Sequence, residues 1–281
     1  MKHTRPNGIE ILSEDELKLM RSAGLVVAHA LQEMTQAAAA GMTTSDVDAI
    51  AVEVLARFGA TSSFLGYEPA PMLPPYPAVT CTSVNDELIH GIPTQRALKD
   101  GDLLSIDFGA CIGGYHGDAA RSVGIGELRP EVAVLNQVTY ESLWAGISAA
   151  RLGRTIGDIS YAIQRFITRA GKYGIVRGYT GHGIGHNMHQ PPDIPNYGKP
   201  KKGPRIERGM CLAIEPMVTL GTHNTGVLDD DWTVVTADGS IGAHWENTIT
   251  VTKHGLWVLT EIDGGEETLN KLGIPFGPLA D

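Results

Sequence analysis

Residues 101–107 read GDLLSID and residues 209–215 read GMCLAIE. Each is a turn glycine followed by an apolar strand pattern that ends on a carboxylate, Asp107 in one and Glu215 in the other. Upstream of each lies a second matched pair, GMTTSDV at residues 41–47 and GRTIGDI at residues 153–159. Both of these sit between a long helical pattern and a second amphipathic one. The two pairs recur at offsets of 112 and 108 residues, which marks an internal duplication. The expected class is therefore α+β, with two similar halves, each helix, helix, strands, facing one another across a pseudo-twofold axis. Such an axis brings the two acidic strands together.

Working outward, Ser13 with Glu16 three residues later forms a capping box, which predicts a helix running on to Gly41. A second helix is predicted over Ser45–Phe58, with Val47, Ile50, Val54 and Leu55 on one face and Gly59 as its stop. Residues 67–77, YEPAPMLPPYP, hold five prolines and read as a stiff extended surface loop, and strands follow from Ala78. Residues 1–12 read as a short polar lead and residues 13–281 as a single domain. With 281 residues, 42% of them apolar, the chain can bury a sizeable core, and no apolar run is long enough to span a bilayer. The net charge of −10 argues against nucleic acid and anionic membrane as partners. Three unpaired cysteines, Cys81, Cys111 and Cys211, and an N-terminus without an apolar signal core point to a reduced, cytoplasmic setting.

In LLSIDFG the strand alternation puts Leu104, Ile106 and Phe108 on one face and Ser105, Asp107 and Gly109 on the other. Glu215 repeats the arrangement in the second half. A hairpin centred between Ile112 and Gly113 would set Asp118 directly opposite Asp107. Paired carboxylates on a buried strand need a partner, and a bound cation is the economical one. In the segment GAHWENTITVT from Gly242, His244, Glu246, Thr248 and Thr250 share the polar face. The stretch GHGIGHNMHQPP, residues 181–192, adds His182, His186 and His189 among glycines that allow close backbone approach.

Taken together, NDELIHGIP with His90, SIDFGACIGGYHGDAARS with Asp107 and Asp118, GHGIGHNMHQPP with His182 and His189, AIEPM with Glu215 and AHWENT with Glu246 resemble a methionine aminopeptidase of type I. That is a group of the pita-bread metallopeptidases, and the resemblance runs from about Glu14 to near Thr260. It implies a pita-bread catalytic domain with a central antiparallel sheet covered by helices. It also implies removal of the N-terminal methionine from nascent proteins whose second residue is small. Metal ligands carried over residue by residue are Asp107, Asp118, His182, Glu215 and Glu246, which would hold two divalent ions, with Mn, Fe or Co suited to an oxygen-rich shell. Glu215 would also relay a proton, His189 would donate to the carbonyl at the transition state, and His90 would contact the scissile amide nitrogen. Tyr67, Tyr76, Cys81, His90, Met188, His189 and Trp232 would line the methionine pocket, their sulfur and aromatic surfaces suiting a thioether. The partners implied are N-termini of nascent polypeptides at the ribosome, met by a cytoplasmic monomer, with neither nucleic acid nor membrane contacted directly.

Three features depart from the family pattern: Asn247 where many relatives carry histidine, Gln190-Pro191 after the motif histidine, and the length of the 67–77 loop. By alternation Asn247 faces away from the ligands. Only 25 residues separate His189 from Glu215, too few for the helical insertion of type II relatives, and no zinc-finger extension precedes the domain. The rival readings are a proline-specific peptidase of the same fold, which would bring an extra N-terminal domain, and a non-catalytic peptide-binding module, which would lack the ligand set.

Overall fold

Chain entry is governed by backbone pairing. In the computed structural model, which describes residues 3–71 and 73–279, the polar lead forms a hairpin of β1 (His3–Thr4) and β2 (Glu10–Ile11). Residues 1 and 2 of the lead, Met72 of the 67–77 loop and residues 280 and 281 lie outside the described residues. The lead is docked, since the Leu12 amide donates to the Gly209 carbonyl at 2.8 Å. Helix α1 (Glu14–Ala37) opens on the expected capping box, in which Ser13 accepts from the Glu16 amide and the Glu16 carboxylate accepts from the Ser13 amide. It stops four residues before Gly41, because the next segment pairs elsewhere: Gly41 donates to the Leu98 carbonyl at 2.9 Å and Leu98 donates back to Met42 at 2.7 Å. Helix α2 (Thr44–Phe58) starts on a Thr43–Asp46 capping box and ends at Gly59, whose φ of 64° is left-handed.

The first sheet follows. It contains β3 (Thr61–Ser62), β4 (Thr80–Val84), β6 (Leu103–Ile112) and β7 (Tyr115–Gly124), with β5 (Glu87–Ile89) paired in a different sheet. Strand β6 is central, with β7 along one edge and β4 and β3 end to end along the other. The β6–β7 hairpin turns on Gly113 and Gly114, at φ 59° and 83°, one residue later than the sequence expectation. Asp118 therefore faces Gly109, and Asp107 faces Ala120. The two aspartates are diagonal neighbours on one face instead of a direct pair. Leu104, Ile106 and Phe108 fill the other face and pack under Val26, Val27 and Leu31 of α1 and Val47 and Val54 of α2.

The second half repeats the plan with α3 (Pro130–Ala149), α4 (Ile156–Ala170) and the strands β8 (Gly174–Ile175), β9 (Gly181–Gly183), β10 (Gln190–Ile194), β11 (Cys211–Ile214), β12 (Met217–Thr219), β13 (Thr225–Val227), β14 (Val234–Thr236), β15 (Gly242–His244), β16 (Asn247–Val251) and β17 (Leu256–Val258). A short α5 (Glu266–Lys271) follows. The larger sheet runs β10-β9-β11-β16-β17, while β12 joins β15 and β8, and β14 joins β13 and β5. The duplication is visible bond by bond. Thr155 and Asp158 cap α4 as Thr43 and Asp46 cap α2, and isolated bridges join Thr43 to Ala97 and Thr155 to Arg205. Leu98 donates to Met42 at 2.7 Å and Ile206 donates to Arg154 at 2.8 Å.

At the axis the halves are stitched directly. Ala120 and Glu246 exchange backbone hydrogen bonds, and the Thr248 hydroxyl accepts from the Asp118 amide at 3.1 Å and donates to the Asp118 carbonyl at 2.8 Å. The final strand expected from the sequence is broken here, with Trp245 and Glu246 outside β15 and β16. Helix α1 lies close over β7 because both carry glycine at the crossing. A Cβ on Gly24 would meet the Leu259 carbonyl oxygen at 2.2 Å, and one on Gly117 would meet the Gly24 nitrogen at 2.8 Å. Gly24→Ala should therefore destabilise the protein by about 1–3 kcal/mol in urea unfolding, even though alanine favours an isolated helix by about 1 kcal/mol. A stability equal to or above that of the parent chain would contradict this packing.

Candidate active site

One cavity of roughly 570 Å³ opens where the two halves meet, and all twelve site residues expected from the sequence line it. Its floor carries Asp107 from β6 and Asp118 from β7, with Gly109 between them kept small: a Cβ there would lie 2.9 Å from both Phe64 and Ser63. The second half supplies His182 from β9, Glu215 just after β11, and Glu246 between β15 and β16. A larger groove of roughly 830 Å³ on α3 and α4 contains none of these residues, so the concentration of chemistry and not size marks the site.

The electrostatics of this floor are unfavourable as they stand. Asp118, His182 and Glu246 each place a ligand atom within 4.8 Å of the others, and so do Glu215, His244 and Glu246. The Asp107 Oδ1, Asp118 Oδ1 and Glu246 Oε1 atoms are buried and have no hydrogen-bond partner among the described residues. His182 Nδ1 lies 3.0 Å from the Gly183 carbonyl, which can only accept, so Nδ1 carries the proton. Its Nε2 lone pair then faces Asp118 Oδ2 at 3.8 Å and Glu215 Oε1 at 3.7 Å. Burial pushes the His182 pKa down to about 3, so the ring is neutral and cannot offset the acids. Burial lifts Asp107 to about 7 and Glu215 to about 8, and raises Asp118 and Glu246 well above the usual carboxylate range. Carboxylate oxygens and an imidazole lone pair aimed into one dry space fit a divalent cation and little else.

The walls hold neutral imidazoles. His189 Nδ1 lies 2.8 Å from the Tyr67 hydroxyl, and its ring sits 4.3 Å from that of His182. Burial lowers His189 to about 4 and His90 to about 4. His90 adopts φ 58°, a left-handed backbone that is costly for a non-glycine residue. It is held there by Gly91, which donates to Ser83 Oγ at 3.0 Å and approaches the Thr82 carbonyl too closely for any side chain. Trp232 and Tyr179 meet the His90 ring edge-on at 6.3 and 5.7 Å. Tyr76, Cys81, Met188 and Trp232 are buried together at one end of the cavity. Both Tyr67 and Tyr76 reach it despite the long loop, because Tyr76 donates its amide to the Tyr67 carbonyl at 3.0 Å and closes the loop at its base.

Several supporting residues were not expected from sequence. His244 Nε2 stands 3.3 Å from Glu215 Oε2; its place on the polar face beside Glu246 was the signal available. Arg121 donates to the Glu246 carbonyl at 2.6 Å and to Asn247 Oδ1 at 2.8 Å, which anchors Asn247 away from the cavity. Glu10 accepts from the His186 amide at 3.1 Å, from His186 Nδ1 at 2.5 Å and from Gln190 Nε2 at 3.1 Å. The lead thereby ties down the loop that carries Met188 and His189. No local pattern in the sequence reveals that tie, because its partners lie some 180 residues apart.

The chain matches metallopeptidase family M24 over residues 18–253. It is 46% identical to the methionine aminopeptidase of Clostridium acetobutylicum over 253 residues, covering 90% of this chain and 98% of that one. It is 49% identical to methionine aminopeptidase 1 of Mycobacterium tuberculosis over 255 residues, covering 88% and 93%. The solved methionine aminopeptidase of Thermotoga maritima superposes with a TM-score of 0.86 at 39% identity, covering 90% of this chain and 99% of that one. The prolidase of Pyrococcus furiosus shares the fold, with a TM-score of 0.68 at 20% identity, but the chain covers only 65% of it. The chain belongs to metallopeptidase family M24 and, within its pita-bread fold, to the methionine aminopeptidases. It is a metal-dependent hydrolase acting on N-termini.

The raised carboxyl pKa values fix the sign of a pH effect. Between about pH 4 and pH 8 these buried carboxyl groups bind more protons in the folded ion-free chain than in the unfolded one. The contribution of these groups is therefore complete below about pH 4, and it is lost as pH rises through about 7 for Asp107 and about 8 for Glu215. A divalent ion relieves the charged set, so MnCl2 added to chelator-treated protein should raise the melting temperature more at pH 8 than at pH 5.5. Scanning fluorimetry in which the ion has no effect, or a larger one at pH 5.5, would rule out this balance.

Proposed function

We propose that the chain removes the initiator methionine from polypeptides whose second residue is small, with Asp107, Asp118, His182, Glu215 and Glu246 holding two divalent ions. The observation that carries this is the set of buried, unpartnered carboxylate oxygens around a neutral His182 in one cavity with an apolar, sulfur-containing end. Four carboxylates balance the charge of two divalent ions, and the oxygen-rich donor set suits Mn, Fe or Co. Bound there, such ions supply a water nucleophile at neutral pH and a Lewis acid for the scissile carbonyl.

The side chains do the rest. The Tyr67 hydroxyl lies 2.8 Å from His189 Nδ1; with the hydroxyl as donor the ring proton would sit on Nε2, where it can donate to the carbonyl oxygen as negative charge develops. His90, fixed by its backbone, faces the scissile amide nitrogen from the opposite wall. Glu215 takes the proton released by the nucleophile and returns it to the leaving amine. Tyr76, Cys81, Met188 and Trp232 receive the methionine side chain and exclude water from it. The substrates proposed are nascent N-termini in the cytoplasm, and among the described residues no helix is long and apolar enough to cross a membrane.

The roles separate by mutation. Asp118→Asn should abolish turnover and reduce bound metal together, because losing one ligand weakens a shared site. His189→Ala should keep its metal and lose about a hundredfold or more in kcat, the usual scale for one transition-state donor. Parallel metal analysis and kinetics decide the matter: metal loss in step with activity in His189→Ala would make it a ligand.

Substrate choice follows from the walls. With the methionine side chain seated, the second residue lies between His90 and His189, where a large side chain clashes as the transition state forms. Met-Gly, Met-Ala and Met-Ser peptides should be cut and Met-Leu, Met-Lys and Met-Phe cut poorly. Comparable kcat/KM for Met-Ala and Met-Phe peptides, or a preference for Xaa-Pro, would sink the reading.

A further inference from the structure

The cavity does not end at the second residue of the substrate. Beyond the imidazole walls it continues to a rim lined by Pro69 and Leu73 of the 67–77 loop, by Val227 at the end of β13 and by Asp231 of the loop that follows. These two loops form one edge, because Trp232 Nε1 donates to the Pro74 carbonyl at 3.1 Å and the Trp232 ring meets Tyr76 edge-on at 5.1 Å. The rim is therefore a braced extension of the same cavity. Its lining is three apolar side chains and a single carboxylate.

The charge balance identifies what suits it. The four carboxylates of the floor are matched by two divalent ions under the proposed function, on which this inference rests. Asp231 is then the one remaining anion among the cavity-lining residues, and no lysine or arginine lines the cavity. Its carboxylate is exposed and makes no hydrogen bond or ion pair among the described residues, whereas neighbouring Asp230 is consumed by the Trp232 and Thr233 amides and the Thr233 hydroxyl. An aliphatic stem ending in a cation fits a surface of this kind: the methylenes pack on Pro69, Leu73 and Val227 while the charged head reaches Asp231.

We propose that this rim is a specificity subsite for the residues after the second, and that it favours lysine or arginine and disfavours aspartate or glutamate at the third or fourth position. The selectivity is electrostatic and solvent-exposed, so it is modest and salt-sensitive.

The test is a kinetic panel on the metal-loaded enzyme with Met-Ala-Xaa-Ser and Met-Ala-Ser-Xaa peptides, Xaa being Lys, Ser or Asp. At about 20 mM ionic strength kcat/KM should be about three- to tenfold higher for Lys than for Asp in at least one of the two series. The ratio should fall toward one in 0.5 M NaCl. Asp231 has φ 65°, a left-handed conformation that asparagine tolerates, so Asp231→Asn keeps the backbone and should remove the Lys-over-Asp ratio. Efficient cleavage of all the peptides at equal rates, or a ratio unchanged in Asp231→Asn or at high salt, overturns the subsite and leaves the proposed function standing. No cleavage of any Met-Ala peptide overturns both.

Discussion

Everything in this molecule is arranged around a cost: several carboxylates and a neutral imidazole are held out of water in one space. Burial, and for Asp107 the neighbouring Glu215, raises the acids toward neutrality, and Asp107, Asp118 and Glu246 each bring an oxygen that finds no hydrogen-bond donor among the described residues. A fold tolerates such a charge arrangement only if it is rigid and if the same arrangement is relieved on binding a cation. The rigidity is visible in the backbone around the acids. Asp118 is fixed through both its amide and its carbonyl by Thr248, and Glu246 is fixed by exchange with Ala120 and by Arg121. Neither backbone position has to be ordered at the moment of binding.

Duplication is an economical way of building this arrangement. Each half supplies a strand that presents an acid, Asp107 within β6 and Glu215 just after β11, and a capped helix that pins the strand's approach, and the axis needs only to bring the two copies face to face. The paired bonds from Leu98 to Met42 and from Ile206 to Arg154 show that the local scaffold around each copy has been kept. What has diverged is the rim. The first half contributes the proline-rich loop and the second contributes Asp231 and Trp232, so a nearly symmetric scaffold carries an asymmetric opening with a direction for the substrate.

Much of this was legible in the sequence, for definable reasons. Capping boxes, αL glycines and the alternation around Asp107 are local, so α2, the start of α1 and the facing of β6 followed from the letters. The end of α1 did not, because Gly41 is recruited by Leu98, more than fifty residues away. The hairpin was misplaced by one residue, since Ile112-Gly113-Gly114 allows two turn centres and only the observed pairing of Ile112 with Tyr115 chooses between them. The aspartates still share a face, because moving the turn centre by one residue shifts the pairing by two and so preserves the alternation, and side chains bridge the diagonal. His244 and Glu10 escaped for the same reason as Gly41: what matters about them is a contact made across the fold.

The apolar end of the cavity suits one kind of side chain. Tyr76 is buried with its hydroxyl 3.0 Å from both the Thr80 and Gly91 carbonyls, and Trp232 is clamped to Pro74. The pocket proposed for the first side chain thus ends in satisfied polar groups and packed rings. A polar or charged first side chain would have to desolvate against that wall without a hydrogen-bond partner. A free amine would be received at the floor, where the carboxylates proposed as ligands are balanced by the ions they would hold, so that the floor accepts a neutral lone pair and not a positive charge. The wall would therefore select an apolar first side chain and the floor a free amine, by desolvation in the one case and coordination in the other.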